Sequence, residues 1–351
     1  MLLSEINRQV LGDGGHVSRN SDAVLDLLLD LLPLHRCYKA REIEPPPVLA
    51  DAVRRMLLNL RAMRLGDGSL ARFNGAGTTR AEALATVLAF DTGEGRLPAE
   101  LPASGYVRLE RGQTILLMDC AAPPALEFAG RAQAGCLAFE MSDGSRALLV
   151  NGGYPGTSRR DDRPAARATA NHNTLTVNGQ SSARFVASPA ITRLCGDAAL
   201  TGPAAVTFRF MAHNGAHAFE AMHDGYAETM LLMHSRRLEL SQDGQRLEGR
   251  DRLGARQGVL RLGRDLPFAI HFHLAPRIRP QIEVSEGKSS VRLIVPGQPD
   301  WRLTTDDAEI LIEASQRYDT AAPTPPSRQI VLRGSCPGEA TVTWTLQRLP
   351  E

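Results

Sequence analysis

His172-Asn173-Thr174-Leu175-Thr176-Val177-Asn178-Gly179-Gln180 reads as a strand running into a tight turn. Toward Val177 polar and apolar side chains alternate, the two-residue period of a half-buried strand. Asn178-Gly179 is the pair that most easily supplies the two positive φ angles of a type I′ hairpin turn. The same pattern recurs on both sides. Leu137, Phe139 and Met141 alternate before Asp143-Gly144 turns the chain into Arg146 to Val150. Leu238 and Leu240 lead through Asp243-Gly244 to Leu247, and Val342, Trp344 and Leu346 alternate with threonines. Many short strands joined by Asp-Gly and Asn-Gly turns predict an antiparallel β-sandwich from about residue 104 onward.

Before residue 104 the period is helical. Ser21 is placed to cap a leucine-rich helix that Pro33 would end near Leu32. Asp22, Asp26 and Asp30 form its one narrow polar stripe, so most of its circumference should be buried. Pro45-Pro46-Pro47 opens a second helix carrying Leu49, Val53, Met56 and Leu60. Thr79-Arg80-Ala81-Glu82 has the form of a capping box for a third. The expected organisation is a helical segment over 1–103 and a sandwich over 104–351.

With 43% hydrophobic and 23% charged residues the chain can bury a substantial core. A formal charge of +1 gives no reason to expect a nucleic-acid partner. Only Lys39 and Lys288 among the 40 basic residues are lysines. Guanidinium groups suit carboxylates, but a genome bias toward Arg is the better account of the count. Five dispersed cysteines without a Cys-x-x-Cys pair argue against a disulfide framework. No apolar run approaches the ~20 residues that a membrane span requires. Met1-Leu2-Leu3-Ser4-Glu5 has no signal-peptide pattern. The expected compartment is therefore the cytoplasm, or the periplasm if the chain continues upstream.

The run Arg167-Ala168-Thr169-Ala170-Asn171-His172-Asn173-Thr174 resembles the C-terminal signature of the heparinase II/III family of polysaccharide lyases. Cys136 to Asn151-Gly152-Gly153 is similar to that family's strand pair ending in Asp-x-Gly. Asp13-Gly14-Gly15-His16 before a leucine-rich helix is similar to the end of its α/α toroid. The resemblance implies a mainly β fold, an antiparallel supersandwich-like β-sandwich behind a short helical remnant. It implies β-elimination of uronate-containing glycans in a bacterium, with an acidic polysaccharide or oligosaccharide as partner. A homo-oligomer is compatible with it.

β-Elimination needs a base for the C5 proton, an acid for the leaving oxygen and a cation against the carboxylate. His172, Tyr226 and His234 are the proton-transfer candidates, and Arg131, Arg236 and His223 the substrate-binding ones. His223, Tyr226, His234 and Arg236 are expected on the sandwich surface facing the helices.

The resemblance also implies a zinc held by two histidines and an aspartate. Here Arg131, Gln133 and Gly135 occupy the His-x-His-x-Asp element and Asn151 the next ligand position, leaving His172. Two neutral amides beside one imidazole hold zinc poorly. The expectation is therefore no metal cofactor and a hydrogen-bonded Gln133–Asn151–His172 cluster. Ala23 stands where the toroid would supply a tyrosine. The functional readings are thus a lyase with a degenerate site, or a non-catalytic glycan-binding or assembly module.

Overall fold

The computed structural model of the chain describes residues 1–156, 159–213, 216–256, 265–319 and 326–350. Four helices open it: α1 (Leu2–Gln9), α2 (Ser21–Ala40), α3 (Pro47–Ala62) and α4 (Ala81–Leu88). Asn20, not Ser21, caps α2, its side chain accepting from the Asp22 amide at 2.8 Å. The helix also runs on through Pro33 to Ala40. Pro33 lies on the exposed face, where water can take the carbonyl that its missing N–H leaves unpaired. The capping box is not formed either. Thr79 accepts from the Leu70 amide at 2.8 Å, and no side chain caps α4. Leu25, Leu28, Leu49, Met56 and Leu60 make the helical core.

The chain then becomes β. A five-stranded antiparallel meander orders Glu100–Leu101, Tyr106–Arg111, Thr114–Asp119, Phe139–Asp143 and Arg146–Leu149. Its residues serve two cores. Val107, Leu109, Leu116, Met118 and Phe139 enter the sandwich, whereas Tyr106 and Leu117 pack against the helices. Covered on both faces, the middle strands also bury polar side chains, Arg108, Asp119, Glu140 and Ser142 among them. Arg19 ties the helical segment down, donating to the Asp119 carboxylate and, at 2.8 Å each, to the Ser104 and Ala122 carbonyls.

An eight-stranded antiparallel sheet forms the second layer, with Ala340–Arg348, Arg246–Ala255 and Leu232–Leu240 in its middle. A four-stranded sheet orders Glu309–Ser315, Ser327–Cys336, Leu266–His273 and Leu175–Val177. Between the layers Phe139 stacks on Trp344 at 5.8 Å, and Phe272 meets Trp344 edge-on at 4.9 Å. The fold is mainly β, an antiparallel sandwich behind helices, as the change of hydrophobic period predicts. Among the described residues no helix is long and apolar enough to cross a membrane.

The opening stretch differs in detail from its reading. Only Leu175–Val177 is strand, because His172 closes a 3-10 turn over Thr169–Asn171. Asn178 and Gly179 do turn at φ +51° and +66°. Yet Leu175–Val177 pairs with Leu266–His273, so the turn reverses the chain without building a hairpin.

Gly249 shows how close the packing is. A Cβ there would lie 2.0 Å from the Trp344 ring. Gly249→Ala should therefore lower the urea midpoint, by about 1–3 kcal/mol of stability. An unchanged midpoint would mean that Trp344 has room to move.

Candidate functional site

The signature residues are committed to backbone groups. Buried Arg167 donates to the carbonyls of Ala132 (2.8 Å), Ala198 (2.8 Å) and Ala129 (3.0 Å). The Thr169 hydroxyl donates to the Ala134 carbonyl at 2.7 Å, and Asn173 Nδ2 to that of Phe139 at 2.8 Å. Asn173 Oδ1 accepts from the His273 amide at 2.5 Å. Each satisfies a buried polar group that would otherwise cost about 1–3 kcal/mol.

Gln133, Asn151 and His172 are all buried, but they do not bond one another, which corrects the expected cluster. Gln133 accepts from the Gly75 amide (3.1 Å) and donates to the carbonyls of Gly153 (3.0 Å) and Ala166 (3.1 Å). Asn151 Oδ1 accepts from the Asn173 amide at 2.8 Å, and His172 Nδ1 lies 2.8 Å from the Ala168 carbonyl. Backbone groups outcompeted the side chains because each amide had a strand or turn partner within reach. His172 Nε2 and Asn151 Nδ2 are left buried without partners. Burial pushes His172 down to about 4, so its ring is neutral. A Cβ on Gly135 would lie 2.8 Å from that ring, so the aspartate expected there has no room. These donors do not fit zinc: His172 offers one free imidazole nitrogen, while the Asn151 and Gln133 oxygens already accept from the Asn173 and Gly75 amides. Among the described residues no group of three His, Cys, Asp or Glu could hold a metal ion.

Tyr226, His234, Arg236 and His223 are inside the sandwich, not on its surface, with exposures of 0, 0, 0 and 1%. Tyr226 donates to the Leu175 carbonyl at 2.7 Å. His234 Nε2 meets Asp251 Oδ1 at 2.7 Å, and its Nδ1 meets His223 Nε2 at 3.2 Å. Arg236 bonds both Asp251 oxygens (2.8 and 3.1 Å) and the carbonyls of Leu137 (2.8 Å) and Asn173 (2.6 Å). Trp344 Nε1 donates to Asp251 Oδ2 at 2.9 Å. Burial works to raise the Asp251 carboxyl, but Arg236 and the His234 hydrogen bond hold it well below the usual range. Strand alternation turned these residues inward. Leu232–Leu240 is buried at every second position, and His234 and Arg236 fall on the buried phase.

Of the sequence-derived candidates, Arg131 alone is exposed. It lies at the seam with the helices, where a Cβ on Gly75 would meet Arg131 at 2.7 Å. Nearby Tyr154 is buried under the Arg163 guanidinium, 5.9 Å from its ring, and burial raises its hydroxyl.

The sequence reading missed a cleft of about 780 Å³ between the helical segment and the sandwich. Arg64, Arg72, Arg146, Arg277 and Arg317 line it, with Asp67 and Glu140. Asp319 closes one end, accepting from Arg72 (2.8 Å), Thr78 (2.7 Å) and Arg317 (2.9 Å). Glu140 is fully buried and accepts from the Asn151 (2.7 Å) and Arg72 (3.2 Å) amides. Its carboxyl is pushed up to about 7 by burial, against the pull of Arg72. These residues come from separate segments, and no spacing in the sequence links them.

Residues 93–345 match the model of the heparinase II/III-like C-terminal family, and the chain belongs to that family, one of polysaccharide-lyase type. It is 31% identical over 356 residues to FtsZ-localized protein C of Caulobacter vibrioides (strain NA1000 / CB15N). That alignment covers 99% of this chain and 60% of the relative. Heparan sulfate lyase HepC from Pedobacter heparinus superposes with a TM-score of 0.72 at 16% identity, over 99% of this chain and 55% of that one. The heparinase III BT4657 gene product gives 0.73 at 14%, over 100% and 54%. At such identities the two structures share the fold alone. The chain spans between about half and three fifths of the length of these proteins.

Two outcomes are expected. Elemental analysis of the purified chain should find no stoichiometric zinc, and about one zinc per chain would overturn the reading of Gln133 and Asn151. Glu140 should also give stability a specific pH dependence. Its folded carboxyl holds a proton more tightly than the ordinary value of 4.5. The contribution is therefore fully present below about 4.5 and lost as pH rises through about 7. The stability difference between the wild type and Glu140→Gln should fall across that window, and a flat difference would show that Glu140 stays ionised.

Proposed function

We propose that this protein is a non-catalytic member of the heparinase II/III-like family that serves as an assembly module at a bacterial division site. The observation that carries the reading is the burial of His172, Tyr226 and His234. β-Elimination requires acid, base and carboxylate neutraliser around one sugar ring at hydrogen-bond distance. Here Tyr226 donates to the Leu175 carbonyl, and His234 is held between His223 and Asp251. His172 faces a closed interior with its free nitrogen. Arg236, which would neutralise a carboxylate, already neutralises Asp251. The division-site setting is supported by the 31% identity, along nearly this whole chain, to a protein named for its localisation with FtsZ.

A second reading, a protein that holds or slowly cleaves an acidic glycan, is favoured by exposed Arg131 beside Tyr154 at the seam. Elimination leaves an unsaturated uronate that absorbs in the ultraviolet, so heparan sulfate and other uronate polysaccharides test turnover directly. No rise in absorbance is expected, because each missing general acid or base costs ~10²–10⁴-fold. A robust rise that disappears in His172→Ala or Tyr154→Phe would overturn the non-catalytic reading. A fluorescent fusion produced in Caulobacter vibrioides should collect at the division plane, and diffuse fluorescence would count against the assembly role.

A further inference from the structure

The arginine-lined cleft is built from two chemistries. Leu84, Val150 and Ile278 supply an aliphatic floor between α4 and the sandwich. Around it stand five guanidinium groups, and their charges are unevenly matched. Arg72 and Arg317 share Asp319. Arg64 reaches the Gly68 carbonyl at 3.4 Å. Arg146 and Arg277 pair with no carboxylate among the described residues, and Arg146 Nε is buried without a partner. The two acidic residues lining the cleft are engaged. Asp67 accepts from the Ser69 amide and hydroxyl, and Glu140 from two backbone amides. The cleft thus presents unsatisfied positive charge beside apolar surface.

Guanidinium groups recognise carboxylates through paired hydrogen bonds, and grooves with apolar floors take peptide side chains. No aromatic side chain lines the cleft among the described residues, so it offers no flat face to a pyranose ring. We propose that this cleft receives a short peptide segment of a partner protein, with aliphatic side chains on the floor and flanking carboxylates against Arg146 and Arg277. Its volume of about 780 Å³ lies within the roughly 300–1,000 Å³ of small-molecule pockets, room for a few side chains of a segment. The inference deepens the assembly reading and rests on it for its cellular setting. The two fail separately: lyase turnover would sink the assembly role and leave peptide binding untouched, and the converse holds.

Panning a library of short random peptides on the full chain, followed by fluorescence anisotropy, tests the proposal. Enriched peptides should combine Asp or Glu with Leu, Ile or Val. They should bind at least about tenfold more weakly to Arg146→Glu/Arg277→Glu, and weaken with salt. The milder Arg146→Ala/Arg277→Ala variant, with circular dichroism on both, separates lost binding from lost folding. Enrichment of peptides without carboxylates, no enrichment, or unchanged affinity in both folded variants would overturn the proposal. A heparan-derived hexasaccharide that binds with the same arginine dependence while no peptide does would overturn it in favour of a glycan.

Discussion

The buried pair of Arg236 and Asp251 is the contact on which the sandwich depends. Both side chains have no exposure to solvent. Arg236 projects from the eight-stranded sheet and reaches the carbonyls of Leu137 and Asn173, so one guanidinium holds three segments together. Leu137 sits at φ +61°, a conformation unfavourable for a branched side chain, and its carbonyl accepts from that guanidinium. Removing either partner would leave a charge in the core, at a cost of about 3–5 kcal/mol. Asp251 in turn orders His234 and Trp344, and His234 orders His223. Residues that in a cleft would serve acid–base chemistry are here the polar centre of a hydrophobic core.

The same logic explains what the residues of the family signature do for the fold. Arg167, Thr169 and Asn173 answer the hydrogen-bonding needs of backbone that the fold itself brings inside. Any change at these positions strands a carbonyl or an amide. At the neighbouring ligand positions other residue types meet the same need. Gln133 and Asn151 found backbone partners, and Gly135 gave its space to the His172 ring. Fold and site are separable for this reason, and a match to the fold does not carry the reaction with it.

Placing the helical segment against the sandwich creates what is new. The five-stranded sheet is shared between two cores, and Asp319 gathers Arg72, Thr78 and Arg317 across the junction. The arginine-lined cleft lies beside this clasp, and its walls exist only because both modules contribute.

The sequence by itself determined the sequence of periods. Alternation at Leu238–Leu247 and Val342–Leu346, and helical spacing at Leu49–Leu60, come from local burial that repeats with the geometry of each element. The Asn178-Gly179 turn was equally legible, since positive φ is a property of those residues. Helix ends were less so: Pro33 was tolerated because of the face it occupies, and Thr79 capped nothing because Leu70 lay closer to hand. Which His, Tyr and Arg side chains meet solvent was decided by tertiary structure. The two-residue period running back from Leu238 and Leu240 puts His234 and Arg236 on the buried face, but only the packing of the layers decided that this face meets Asp251 and a closed core instead of a cleft. The cleft was beyond reach for a related reason. Arg64, Arg146, Arg277 and Arg317 stand far apart in the chain, and only the packing of helices on sheet, driven by apolar residues between them, sets their charges around one space.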